Sequence, residues 1–327
     1  MKIGIIYSLV DENAKDAESF NEIKDTVKVV SDILKKNKHK VVECILRDPN
    51  LSVVEKQLKQ LKKETEIVFN FAESIGEDTS VEWKIAKMMS DVGIKYTGAD
   101  WNCLKTTTNK ILMKDEMIRA KIPTPHYQIF NSLDEKFKLT YPVIIKPSRE
   151  GGSIGIFKDS VAENEKQLKK CVKRILDDYK QPALVEEFIN GLEFQVGIIA
   201  GKPQIVLPIA ELIYTLPKGR NNILTYDGKW SEDSVDYKET NTGAPVNLTP
   251  ILEKKLILNA KKTHKLFGSP DYCRVDFRTK GDDVFVLELN ANPCANPIDS
   301  GFAKQLKRAN ISYEEFIQKL IELTIEK

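Results

Sequence analysis

Apolar and polar positions repeat along the chain with two different periods, and the points where the period switches mark out its elements. Ile3–Tyr7 is a short continuous apolar run that reads as a buried strand, after which Ile23, Val27, Val30 and Leu34 recur at helical spacing. Lys40–Leu46 reads as a second strand, Val54, Leu58 and Leu61 mark a second helix, and Ile67–Phe71 is a third strand. Trp83, Ile85, Met88 and Met89 belong to a further helix that Thr79 or Ser80 would cap. Alternation of this kind predicts a parallel, doubly wound α/β domain over residues 1–100. Ligands bind at the carboxyl ends of strands in such sheets, which makes Tyr7–Phe20 and Glu73–Asp78 candidate substrate loops. No GxGxxG follows the first strand, so dinucleotide binding has no support.

Beyond Gly98 the texture changes. Thr106–Ala120 is expected as one helix, Tyr127–Phe130 and Val143–Ile145 as short strands, and Leu168, Val172, Ile175 and Leu176 as the inward stripe of another helix. Strands Ala183–Ile189 and Glu193–Ala200 flank Asn190-Gly191, and Gln204–Ile213 follows. Tyr214–Thr249 has little apolar periodicity; a long irregular segment inside a compact domain is usually functional or disordered. Leu252–Phe267 and Ser312–Glu326 close the pattern as helices.

Between those helices lies a hairpin, Tyr272 to Pro293, with a turn at Gly281-Asp282-Asp283. With the turn centred on Asp282, Asp276 opposes Glu288 and Arg274 opposes Asn290, so these four share one face. Val275, Phe277, Phe285, Leu287 and Leu289 are then expected on the core face. Facing carboxylates repel, and an all-oxygen cluster suits a hard cation, magnesium best; a hairpin whose polar face is merely wet has the same pattern.

Composition narrows the classes. The 327 residues carry a net charge of +2 with both signs mixed along the chain, which argues against a dedicated nucleic-acid or membrane-surface protein. Five cysteines without a CxxC pair argue for reduced thiols rather than disulfides or a zinc ribbon. His39, His126 and His264 form no HExxH. Without a signal-peptide core or an apolar run near the ~20 residues of a membrane helix, a soluble cytoplasmic protein is expected.

Three further stretches could carry chemistry. Gly151, Gly152 and Gly155 with Ser148 and Ser153 could turn backbone amides and hydroxyls onto an anion, with Lys146 just upstream as a point charge. A flexible turn is the alternative, and no GKS or GKT makes this a P-loop. Glu186, Glu187 and Glu193 interrupt apolar strands, where carboxylates can accept from ribose hydroxyls or line a wet strand edge; Glu186 has no cation partner visible in the sequence. Tyr226 to Trp230 sets Lys229 among aromatics, as a mobile lid or an ordinary surface loop would.

Together these stretches resemble the ATP-grasp superfamily, and within it the D-alanine–D-alanine ligases and similar ligases. The residues that carry the resemblance are YPVIIKPSREGGSIGI at 141–156, LVEEFINGLEF at 184–194, RVDF at 274–277 and LELNANP at 287–293, in the family's order and spacing. The resemblance implies an ATP-grasp fold behind the first domain, with a central part at 101–190 and a C-terminal part at 191–327, α/β overall and α+β in those later parts. It implies ATP and magnesium (or manganese) as cofactors, amino-acid or peptide substrates, a homodimer, and no nucleic-acid or membrane partner. Asp276, Glu288 and Asn290 resemble the metal ligands, and Lys110 and Lys146 the phosphate lysines under Gly151, Gly152 and Ser153. Glu186 and Glu193 resemble the adenine-side and ribose carboxylates, with the backbone of Glu187, Phe188 and Ile189 along the adenine. Lys229 resembles the lid lysine, Arg274 the arginine that steadies the acyl-phosphate and oxyanion, and Glu18 and Ser300 the substrate contacts. The implied reaction phosphorylates a carboxylate and then joins it to an amine. A kinase would use the same motifs, whereas a non-catalytic nucleotide binder has no need of Arg274. The substrate segments depart from the family: residues 8–20 are long and acidic, residues 69–74 lack its histidine, Gly152 replaces a loop serine, and residues 294–302 read CANPIDSGF. These departures leave the substrates open.

Overall fold

The computed structural model describes residues 1–10, 23–75, 78, 81–246, 248–298 and 300–327. Strands β1 (Lys2–Ser8), β2 (Lys40–Leu46) and β3 (Ile67–Phe71) form a parallel sheet in the order β2-β1-β3. Helix Ile23–Lys36 buries Val27, Val30 and Leu34, and helix Leu51–Glu64 buries Val54, Leu58 and Leu61, the stripes their spacing predicts. The carboxyl ends of β1 and β3 deliver Ser8 and Asn70–Ser74 to a large cavity. Glu18, Gly76, Glu77, Thr79 and Ser80 lie outside the described residues; helix Glu82–Asp91 begins after Val81, which makes no side-chain cap.

The expected single helix over 106–120 is two, Trp101–Thr107 and Lys110–Arg119. The Asn109 side chain accepts from the amides of Ile111 and Leu112, which restarts the helix at Lys110. The Lys110 amide in turn donates to the Ser148 carbonyl at 2.9 Å, tying this helix start to the Gly-rich loop.

A second sheet is antiparallel: β4 (Tyr127–Phe130), β5 (Val143–Pro147), β6 (Val161–Ala162) and β7 (Ala183–Glu187), in the order β4-β7-β5-β6. Helix Glu165–Asp178 covers one face with Leu168, Cys171, Val172 and Ile175. The third sheet contains β8 (Glu193–Ile199), β9 (Ile205–Val206), β10 (Ala210–Tyr214), β11 (Thr240–Gly243), β12 (Tyr272–Lys280) and β13 (Asp283–Asn290). Its order is β11-β10-β8-β12-β13, with β9 on β8. The expected strand 204–213 is thus two short ones, and the segment after Tyr214 holds helices Tyr226–Trp230 and Val235–Lys238 besides β11.

The β12–β13 hairpin departs from the expected geometry in an informative way. Lys280 pairs with Asp283, so the turn is the tight Gly281-Asp282, with Gly281 at φ 58°. That register alone would set Asp276 opposite Leu287. A bulge between Asp276 and Phe277 takes up Leu287, and Asp276 therefore does oppose Glu288, and Arg274 Asn290. The bulge also changes which β13 side chains face the core. Val284 and Val286 are buried there, whereas Phe285 and Leu287, expected in the core, are only half-buried.

Candidate active site

One cavity of about 1040 Å³ lies between the three sheets, lined at one end by Glu187, Phe188 and Leu287 and at the other by Ser8, Glu73, Tyr272 and Ser300. The Gly-rich loop between β5 and β6 forms part of its wall, with Gly152, Ser153 and Gly155 in the left-handed region (φ 58°, 63° and 78°). A non-glycine residue there is strained, a feature that clusters at ligand-binding loops. Trp230 Nε1 donates to the Gly152 carbonyl at 2.8 Å, so the segment carrying Lys229 rests on this loop. Lys229 lines the cavity with its ammonium 4.4 Å from the centre of the Trp230 ring.

The two lysines expected at phosphates are held by carboxylates. Lys110 Nζ meets Glu288 Oε2 at 2.8 Å, and Lys146 Nζ meets Glu186 Oε2 at 2.5 Å. Glu186, with no visible partner in the sequence, has two cations: Lys114 Nζ stands 2.5 Å from its Oε1, and both side chains are 1 % exposed. Burial opposes the Glu186 charge, but Lys114 and Lys146 outweigh it and hold its pKa down at about 2. Burial lowers the pKa of Lys114, with Glu186 acting against that shift. Sequence reading missed Lys114, although it lies four residues from Lys110 and so one helical turn on.

Arg274 grips Asp276 with two bonds of 2.7 Å, and Asn290 Nδ2 donates to Asp276 Oδ2 at 3.1 Å. Burial raises the pKa of Asp276, an effect that Glu288 adds to. For Glu288 burial acts the same way, but Lys110 overcomes it and brings the pKa to about 2. Two carboxylates and an amide oxygen on one face of the β12–β13 hairpin, with Lys110 against Glu288, form a hard donor set that fits magnesium. Among the described residues no cluster of three or more His, Cys, Asp or Glu forms a separate metal site.

At the far end Ile144, Val161, Phe188 and Ile223 form a small apolar cluster with Ile156, the shape and polarity a purine ring needs. The Glu187 and Phe188 amides already donate to the carbonyls of His126 (2.8 Å) and Pro142 (3.0 Å), which narrows the expected backbone contact. Glu193 Oε2 accepts from Tyr214 at 2.8 Å and from Arg278 at 2.6 Å. Neither Tyr214 nor Arg278 was singled out from the sequence, although Arg278 continues the alternation of Arg274 and Asp276. Ser300 lines the cavity and caps helix Gly301–Arg308 by accepting from the Ala303 amide at 3.1 Å.

Residues 116–322 match the family model of the D-ala D-ala ligase C-terminus. The D-alanine–D-alanine ligase of Carboxydothermus hydrogenoformans is 30% identical over 264 residues, 77% of this chain and 78% of that protein. The crystal structure of the Bacillus anthracis D-alanine–D-alanine ligase complexed with ATP superposes with a TM-score of 0.77 at 18% identity, covering 100% of this chain and 97% of that one. The VanG D-Ala:D-Ser ligase of Enterococcus faecalis does so with a TM-score of 0.74 at 17% identity, covering 99% and 100%. The chain belongs to the D-alanine–D-alanine ligase family of ATP-grasp enzymes and is an ATP-dependent carboxylate–amine ligase.

Proposed function

We propose that this ligase joins two amino acids, with D-alanine as the first carboxylate donor to test. The observation that carries the reading is a cavity lined together by Lys110, Lys146, Arg274, Ser8, Glu73 and Ser300, with Arg274 on β12 between Tyr272 and Asp276. In the first step a substrate carboxylate oxygen bonds to the γ-phosphorus of ATP, the bond to the β-phosphate oxygen breaks, and ADP leaves. In the second an amine attacks the acyl carbon, the carbon–oxygen bond to phosphate breaks, and the amine loses its proton.

Lys110 and Lys146 exchange their carboxylate partners for α- and β-phosphate oxygens, and Lys229 reaches the γ-phosphate from the lid. Gly151, Gly152 and Ser153 close over the phosphates. Asp276, Glu288 and Asn290 would hold magnesium, which would neutralise charge on the transferred phosphoryl group. Arg274 offers a planar set of donors to the acyl-phosphate and to the oxyanion of the tetrahedral intermediate. Glu186 and Glu193 serve the adenine side and the ribose. The lid excludes water, which matters because acyl-phosphates hydrolyse. The reading includes a homodimer in the cytoplasm and a three-part division at 1–100, 101–190 and 191–327.

The test is turnover with pooled D- and L-amino acids, ATP and magnesium, following phosphate release and new amide mass. One new amide per phosphate with a D-alanine pool is the expected result. ADP with a phosphorylated product and no amide would point to a kinase and overturn the reading.

A further inference from the structure

Arg278 is a buried cation at the nucleotide end of the cavity that the phosphate-transfer chemistry does not employ. It stands on β12 two positions beyond Asp276, directly across from Glu193 on β8. At 4 % exposure it donates to the Ile189 carbonyl at 3.1 Å, to Glu193 Oε2 at 2.6 Å and to the Asn222 carbonyl. Its guanidinium carbon lies 5.1 Å from the centre of the Phe188 ring. One side chain thus joins the turn after β7, the carboxylate that opens β8, and the segment leading to the Lys229 helix. The guanidinium serves these acceptors from two nitrogens fixed in one plane, whereas an ammonium presents all its donors from a single atom on a flexible stem.

The consequence for Glu193 is geometric. Arg278 and Tyr214 both donate to Oε2, which fixes the rotation of the carboxylate and leaves Oε1 to meet a ligand in the cavity. A carboxylate held in one orientation discriminates between a ligand with a hydroxyl at the right point and one without it, because the unmatched acceptor loses its partner in a dry site. A carboxylate free to rotate would turn to water or to a neighbouring hydroxyl and lose that discrimination.

We propose that Arg278 is a positioning residue that, with Tyr214, orients Glu193 so that the enzyme selects ribonucleotides over 2′-deoxyribonucleotides. The inference rests on the reading of Glu193 as the ribose carboxylate, and the experiment separates the two. Values of kcat and KM are measured for ATP and 2′-deoxy-ATP with the wild type and with Arg278→Met, Arg278→Lys, Tyr214→Phe and Glu193→Gln, with thermal unfolding as the check on folding. The wild type is expected to favour ATP in kcat/KM by on the order of 10-fold or more. Arg278→Met should raise KM for ATP and bring the ratio between the nucleotides close to one, with kcat at saturation less affected. Arg278→Lys and Tyr214→Phe should fall between. Equal losses on both nucleotides in Arg278→Met, with the ratio intact, overturn the inference and reduce Arg278 to a structural role. If Arg278→Met does not fold, an unchanged ratio in both Arg278→Lys and Tyr214→Phe overturns it as well. A wild type without preference, or a Glu193→Gln enzyme that keeps it, removes the ribose reading itself.

Discussion

Asp276 and Glu288 face each other across one strand pair, and each is met by a different cation, Arg274 or Lys110. Two carboxylates this close are costly without a cation between them. Asp276→Asn and Glu288→Gln are therefore expected to lower magnesium-dependent turnover by on the order of 100-fold or more while the fold persists. Wild-type rates in either variant would remove both residues from the metal set. The buried Glu186 behaves differently, because its partners Lys114 and Lys146 stabilise its charge within the protein itself. Its folded pKa of about 2 lies below the ordinary 4.5, so the stability it contributes is full above pH 4.5 and disappears as pH falls through about 2. Lys114→Met should cost about 3–5 kcal/mol near neutral pH, by leaving a buried carboxylate one partner short. The gap from wild type, measured by denaturant unfolding across pH 2–7, should narrow towards the acid end; a gap independent of pH would contradict the pairing. Of these residues, Asp276 and Glu288 were legible from alternation along the hairpin. Lys114 was not, because nothing local to a helix position says which carboxylate of a distant strand it will meet.

At the scale of elements, the segment carrying Lys229, the proposed lid, meets the Gly-rich loop through two bonds that join Trp230 Nε1 to the Gly152 carbonyl at 2.8 Å and the Tyr226 amide to the Ile156 carbonyl at 2.9 Å. Trp230→Phe keeps the ring over Lys229 but removes that donor, so the lid should close less completely on the acyl-phosphate. The expected readout is more phosphate released per amide formed, several-fold over wild type, from hydrolysis of the intermediate. An unchanged ratio would mean that the Trp230 bond has no part in excluding water. The hairpin shows how far local pattern reaches at this scale. Its polar face was read from alternation, and the pairs Arg274–Asn290 and Asp276–Glu288 are as expected. Yet the turn is one residue tighter than assumed, and the Leu287 bulge restores the register. Alternation cannot report a bulge, since the extra residue is apolar like its neighbours; packing decided that Val284 and Val286, not Phe285 and Leu287, enter the core.

At the scale of the molecule, the first domain is joined to the β12–β13 hairpin by a compact polar knot. Asp271, fully buried just before β12, accepts from the Gly98 amide at 2.6 Å and from Lys327 at 3.0 Å. Lys327 also donates to the carbonyls of Tyr96 and Gly98, both at 2.9 Å. Asn292, just past β13, accepts from the Ala99 amide at 2.9 Å and donates to Glu82 at 3.0 Å. Gly98 is the tight point: its φ is 89°, and an added Cβ would stand 2.4 Å from Asn292 Oδ1. Gly98→Ala should lower stability by about 1–3 kcal/mol, visible as a lower thermal midpoint. An unchanged midpoint would mean that Asn292 shifts freely and the knot is loose.

The sequence by itself determined what is periodic or contiguous: the strand–helix alternation of the first sheet, the Gly-rich loop, and the polar stripe of Arg274, Asp276, Glu288 and Asn290. Those features follow from side-chain direction along a strand or helix, which needs no knowledge of neighbours. The tertiary structure alone decided the partners: Lys114 and Lys146 on Glu186, Lys110 on Glu288, Arg278 and Tyr214 on Glu193. Each of these pairs joins different elements of the fold, and burial gives it its strength, so it exists only once the sheets have closed on the cavity.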